Sequence, residues 1–278
     1  RTLFNSLKTN YNVSTVDNQE EADVEFCLIQ QQVHKVKPMV LRLDGIWFNS
    51  EQDYDKQNAP IKYAYNRADA VVFQSEFNKK LTEHWFGKHN NSHVIHNAAD
   101  LNLINLADPS VWDEKFKKDV EVWSCASAWR PHKRLNENIE CFLRKAPSSA
   151  ILAIAGGLGM DDAKKIPNDK RIVLLGELDY MSLLSLYKRS TTFVHLAYLD
   201  HCPNVVVDAQ ASGCKIICSS TGGTSEIVNY GIVVEEDQWD YSPIKLYNPP
   251  DLDLNNTVIV NHKKDSNIEK CAGAYYRV

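Results

Sequence analysis

The sequence predicts an α/β protein built in two halves, each a parallel sheet covered by helices, and three observations predict it. Short apolar runs alternate with amphipathic stretches along 278 residues, the pattern of strands packed under helices. The alternation breaks at Leu106–Lys118, where Pro109 and the charged run from Asp113 to Lys118 read as a linker. No internal repeat or low-complexity tract competes with this reading. The expected domains are therefore 1–117 and 118–278, with a hinge between them and a cleft in the middle. The last helix can pack back on the first domain. Ligands in such sheets bind beyond the C-terminal ends of the strands.

The elements follow in order. In the first half the strands are Val24–Ile29, Met39–Leu43, Ala70–Gln74 and His93–His96. Ser75-Glu76-Phe77-Asn78 opens a helix whose Phe77, Leu81 and Trp85 recur at i, i+4 and i+8, and Gly87 stops it. The second half reads as strand Val120–Ser124, helix Leu135–Arg144, strands Ala150–Ala155 and Arg171–Leu175, and helix Tyr180–Lys188. Strand Thr192–Leu196, helix Pro203–Ser212 and strand Lys215–Cys218 complete it.

Composition narrows the function. The chain is 44% hydrophobic and 24% charged with a net charge of −5, ordinary for a globular protein. Lys and Arg number 14 against 16 acids up to residue 118, and 17 against 20 beyond it. Neither half has the basic surplus of a nucleic-acid binder or of a protein that docks on anionic membranes. No stretch approaches the roughly 20 apolar residues of a membrane span. Arg1-Thr2-Leu3-Phe4-Asn5 lacks the apolar core of a secretory leader. The seven cysteines are odd in number and scattered, without zinc spacing, and read as free structural thiols. Three glycosylation sequons begin at Asn12, Asn90 and Asn255 and read as chance matches. A reducing, cytoplasmic setting is the expectation.

Four constellations carry chemistry. The first runs from His195 to Gly213. Asp200 falls just past a strand end, Pro203 suits a first helical turn, and Gly213 suits a C-terminal cap. The free amides of that turn form an anion site. Asn204 and Asp208, four apart, share a stripe of the helix that can hold a phosphate, a sugar and a ribose diol side by side. The bland alternative is that both acids decorate a helix start, where the dipole welcomes them. The second is Trp129-Arg130-Pro131-His132-Lys133-Arg134. Cations before a helix oppose its dipole at roughly 0.3–1 kcal/mol each, unless a bound anion reverses the sign. Arg130 and Lys133 therefore read as a diphosphate clamp, or else as a solvated basic turn. The third, Thr221-Gly222-Gly223-Thr224-Ser225-Glu226, lets backbone approach a ligand or a neighbouring loop, with Glu226 in a capping position. The fourth is Arg42-Leu43-Asp44-Gly45, where Asp44 faces the cleft from the first half or serves a plain Asp-Gly turn.

These residues resemble the signature of the retaining family 4 glycosyltransferases (glycosyl transferases group 1). That pattern is Glu, seven residues, Glu-Ala, a Gly, then Gly-Gly and Glu-Ile-Val. Here it reads Asp200 to Asp208-Ala209, Gly213, Gly222-Gly223 and Glu226-Ile227-Val228. Trp129–Arg134 resembles the family's phosphate-binding loop. Val94-Ile95-His96-Asn97-Ala98-Ala99-Asp100 resembles the segment before its interdomain linker, and Asp44-Gly45 sits where His-Gly is frequent. The resemblance implies a GT-B fold of two Rossmann-like domains with parallel sheets facing a central cleft. It implies an enzyme, a hexosyl- or pentosyltransferase, moving a sugar from a nucleotide-diphosphate sugar to a hydroxyl acceptor with retention, and needing no metal or other cofactor. By position, Asp200 would contact the donor sugar near the reaction centre, and Asn204 and Val205 would offer backbone amides. Asp208 would hold the ribose, and Arg130 and Lys133 would neutralise the leaving diphosphate. Gly176, Glu177 and Leu178 would border the base, and Asp44 would join Asp200 as a catalytic residue.

The chain departs from the family in three ways. Both glutamates are aspartates, Asp44 replaces the frequent His, and the glycine-rich loop near the start is absent from a chain that is short for the family. Two other readings follow. One is a nucleotide-sugar-binding module without turnover. The other is a nicotinamide oxidoreductase built on Gly156-Gly157-Leu158-Gly159, whose Gly157-x-Gly159-x-x-Asp162 lacks the third glycine that close helix–strand packing needs.

Overall fold

A computed structural model of the chain describes residues 2–30, 34, 36–159, 164–262 and 267–278. It divides into two compact units. The first comprises Arg1–Ala98, Trp239–Leu246 and Asp265–Val278, and the second Ala99–Gln238 and Tyr247–Lys264. Asp162 lies outside the described residues. All seven cysteines are free thiols, and no helix among the described residues is long and apolar enough to cross a membrane.

The first unit is a four-stranded parallel sheet of β1 (Glu25–Leu28), β2 (Met39–Leu43), β3 (Ala70–Phe73) and β4 (Ser92–Val94), paired in chain order. Every residue of β3 is buried, so it reads as a continuous apolar run rather than an alternation. The helix Glu76–Phe86 begins where expected. Ser75 caps it, its side chain accepting from Asn78 N–H, and Gly87 ends it at φ +91°. Trp239 and Tyr241 pack on Phe77 and, in the case of Trp239, on Phe48. Trp85 Nε1 donates to the Tyr241 carbonyl at 2.8 Å. These contacts bring a segment distant in sequence into the unit.

The second unit is a seven-stranded sheet: β5 (Val122–Ala126), β6 (Ile151–Ala155), β7 (Ile172–Gly176), β8 (Thr192–His195), β9 (Lys215–Ser219), β10 (Tyr230–Val234) and β11 (Thr257–Asn261). The order is β11-β10-β9-β8-β5-β6-β7, all parallel except the β10–β11 pair. Strand order therefore reverses between β5 and β8, the switch point where a doubly wound sheet opens a crevice at its C-terminal edge. Two apolar layers cover its faces. One includes Phe142, Leu152, Ile154 and Ile217, the other Leu184, Phe193, Val206 and Ile216.

The boundary differs from the sequence expectation at 117/118. Residues 99–118 are packed, not a free linker. Phe116 is fully buried, Lys188 Nζ donates to the Ala107 carbonyl at 2.6 Å, and Arg189 donates to the Lys117 carbonyl at 2.7 Å. Proline and charge on the solvent side hid an apolar anchor on the other.

Candidate active site at the switch point of the second sheet

The loops after β5 and β8 meet at the switch point, and hydrogen bonds from backbone and core fix both. After β5 the chain makes a 3₁₀ turn, Pro131–Lys133, then enters the helix Leu135–Lys145 through Arg134 in the left-handed region (φ 52°, ψ 52°). Asn138, on the buried face of that helix, donates to the Lys133 and Arg134 carbonyls at 3.0 and 2.7 Å. Its oxygen accepts from Leu196 N–H at 3.1 Å, just beyond β8. Tyr198 N–H also donates to the His132 carbonyl, at 2.8 Å. One buried amide thus ties the two loops together.

Asp200 stands at the centre of the resulting cluster. Its Oδ2 accepts from Lys133 Nζ at 2.5 Å and lies 3.0 Å from His195 Nε2. Burial by itself would raise this carboxyl. The Lys133 ammonium and the His195 N–H outweigh it and hold Asp200 below the usual carboxylate range. His132 is buried beneath, and desolvation with the neighbouring Lys133 charge pushes it down to about 4, so it is neutral at pH 7. The sequence expectation placed a diphosphate clamp on Arg130 and Lys133. Lys133 is paired with Asp200. Arg134, only 1% exposed, donates to Glu236 at 2.6 Å and to the Pro250 carbonyl at 2.8 Å, over the Tyr198 ring. Arg130 is exposed and makes no ion pair among the described residues.

The paired glycines serve a neighbouring loop. Gly222 forms a bridge with Asp200. A Cβ on Gly222 would stand 2.4 Å from the Asp200 carbonyl oxygen, and Gly223 N–H donates to that oxygen at 2.7 Å. Thr221 Oγ1 donates to Glu236 Oε2 at 2.6 Å, joining this loop to the Arg134 pair. Gly223 is the N-cap of the short helix Thr224–Ile227, with Glu226 in its first turn.

The helix Asn204–Ala211 starts beside Asp200, with Pro203 as its N-cap and no side-chain cap. Asn204 is exposed and Val205 half-buried, so the first turn reaches solvent. Asp208 is 7% exposed and accepts from the Tyr180 hydroxyl at 3.2 Å. Desolvation, with Asp100 nearby, raises it to about 6 against the pull of Tyr180. On the other side of the switch, Gly176 ends β7 at φ +67°, with Glu177 exposed and Leu178 packed on the core. The Glu177 carboxylate lies over Gly157, where a Cβ would meet it at 2.7 Å.

Asp44 belongs to the first unit, at the C-terminal end of β2. It accepts from Arg42 and Gln74. Arg42 also reaches Asn97 at 2.8 Å, and Asn97 donates to Gln74 at 2.9 Å. Asp44 is thus held by neighbouring side chains and not only by an Asp-Gly turn. Sequence reasoning passed over His195, Asn138, Arg134, Glu236 and Tyr180. His195 and Tyr180 sit inside or beside the quoted motifs, but a lone His on a strand reads as core. Glu236 carries no local signal.

Parallel sheets in both units, with a charged cluster at the switch point of the second, define a GT-B protein. Residues 109–241 match the family described as glycosyl transferases group 1. Comparison with curated proteins returns no match. Among solved structures the chain is similar to Anabaena HepE in complex with UDP-glucose, at 20% identity and a TM-score of 0.60, covering 73% of this chain and 59% of that one. It therefore spans about three fifths of HepE's length. It is similar to sucrose-phosphate synthase from Thermosynechococcus elongatus (15% identity, TM-score 0.57, 79% and 59% covered). It also resembles WaaG, a glycosyltransferase involved in lipopolysaccharide biosynthesis (13% identity, TM-score 0.60, 84% and 67% covered).

Proposed function

We propose that the protein transfers a hexose or pentose from a nucleotide-diphosphate sugar to a hydroxyl acceptor, with retention and without a metal. The observation that carries this reading is the Lys133–Asp200–His195 cluster at the switch point, beside an open helix start. Asp200 contacts the donor sugar. Asn204 and Val205 offer first-turn amides to sugar or phosphate, where a helix start favours negative charge. Arg130, which makes no ion pair among the described residues, and Lys133, released from Asp200, neutralise the diphosphate as it leaves. Asp208 accepts from the ribose hydroxyls, while Gly176, Glu177 and Leu178 border the base. From the first unit the reading takes Asp44 as an acid or orienting group. The presence of UDP-glucose in the HepE structure supports a nucleotide-sugar donor. The acceptor is a carbohydrate or another hydroxyl compound; nucleic acid has no part in the reading, and the setting is cytoplasmic.

The test is release of nucleoside diphosphate from UDP-, GDP- and ADP-sugars, with and without EDTA. NMR of the product then gives its anomeric configuration. The expected result is turnover of one donor, undiminished by chelation, with the donor's configuration kept. Loss of turnover in EDTA would remove the metal-free assignment, and binding without turnover would leave a nucleotide-sugar-binding module.

A further inference from the structure

Asp200 is held from two sides by unlike partners. Lys133 is a compact charge on a flexible stem, and on the transferase reading a diphosphate competes for it. His195 belongs to β8 itself, is 4% exposed, and lies parallel to Phe193, with ring centroids 6.3 Å apart and planes 13° apart. Its Nε2 lies 3.0 Å from the same Oδ2 that Lys133 takes. An ionised carboxylate only accepts, so the ring must present its N–H at Nε2. Burial lowers the His195 pKa, and the Lys133 charge adds to that against the opposing pull of Asp200. The ring is therefore a neutral donor that does not compete for an anion.

The backbone of Asp200 is fixed separately, by its bridge to Gly222 and the hydrogen bond from Gly223 N–H. What remains free, once Lys133 turns away, is the side-chain torsion. We infer that His195 is the positioning residue of Asp200, keeping the carboxylate aimed at the donor sugar while Lys133 passes to the diphosphate. This rests on the transferase reading. It adds a division of labour that the motif residues do not show: one partner of Asp200 leaves on donor binding and the other stays.

His195→Phe keeps the ring and removes the N–H, whereas His195→Gln sets an amide N–H close to where Nε2 stood. The parent chain is assayed first, on UDP-, GDP- and ADP-sugars, and the donor it turns over is used throughout. The Phe variant should lose turnover by about tenfold or more, the scale of a misplaced reacting group, with nucleoside diphosphate Kd within about twofold. The Gln variant should recover most of that loss. A Phe variant with parental kcat overturns the assignment. So does an equal loss in both variants that follows their melting temperatures, which would make His195 a core residue. Absence of turnover in the parent overturns the transferase reading, and this inference with it.

Discussion

At the scale of single residues, Asp208 shows burial and binding pulling in opposite directions. Its carboxyl titrates near 6 in the folded protein, against about 3.9 in an unfolded chain. The folded state therefore binds more protons at Asp208 between these values, so this group's contribution to stability is greatest below about 4 and falls as pH rises through 6. At about 1.4 kcal/mol per unit, the loss is on the order of 3 kcal/mol. Asp208→Asn should raise the melting temperature at pH 8 and leave it nearly unchanged at pH 4. A ribose diol needs the ionised form as acceptor, so affinity for a nucleotide sugar should rise with pH through about 6 in the parent and stay flat in the variant. Calorimetry with a nucleotide sugar is the right measurement, since its diphosphate lacks the terminal ionisation near pH 6. A flat profile in the parent would take Asp208 off the ribose. The spacing of Asp200 and Asp208 was legible in the sequence. The Tyr180 hydroxyl on Asp208 was not, because it comes from 28 residues upstream on another helix.

At the scale of elements, the turn after β5 is where a local rule is broken. Arg134 sits in left-handed backbone that favours glycine, at a cost of roughly 1 kcal/mol. Its side chain is buried in a pair with Glu236 that also holds Thr221. The turn at 131–134, Thr221, Glu236 and Pro250 therefore meet at one buried pair. Removing one partner of a buried pair leaves the other charge uncompensated, so Arg134→Ala should cost about 3–5 kcal/mol in urea unfolding. Adding Glu236→Gln should recover part of that. Equal stability of parent and single variant would show that the pair does not hold the loops. The sequence suggested a basic clamp of Arg130 and Lys133 among the cations of this turn. Which of them are already neutralised depends on carboxylates 67 and 102 residues away. Strands fared better than loops, since β2, β5, β6 and β9 each carry the apolar run that burial under helices demands. β11 and the helix Tyr54–Arg67 escaped for the same reason in reverse. The helix encloses Pro60, and β11 is largely exposed, so neither shows a clean period.

At the scale of the whole molecule, the two units separate the proposed roles. Asp44 lies in the first, and every residue proposed for the donor lies in the second. Asp44→Ala should leave nucleoside diphosphate binding within about twofold and cut transfer by roughly 10²–10⁴-fold, the range of a positioned acid–base or orienting group. Because Arg42 and Gln74 both donate to Asp44, the variant should also melt earlier. Turnover must therefore be counted per folded molecule, and full turnover in a less stable protein would take Asp44 out of the chemistry. By itself the sequence determined the two α/β halves, the position of most strands, and the motif carried by the segment 109–241 that matches the glycosyl transferases group 1 family. Those depend on periodicity and short spacing, which act within one element or between neighbours in the chain. Only the tertiary structure decided the boundary at Ala98, the return of 239–246 to the first unit, and the partners of Lys133, Arg134 and Asp208. Each of these is a contact between residues far apart in sequence. Strand order sets such contacts, and no local pattern encodes it.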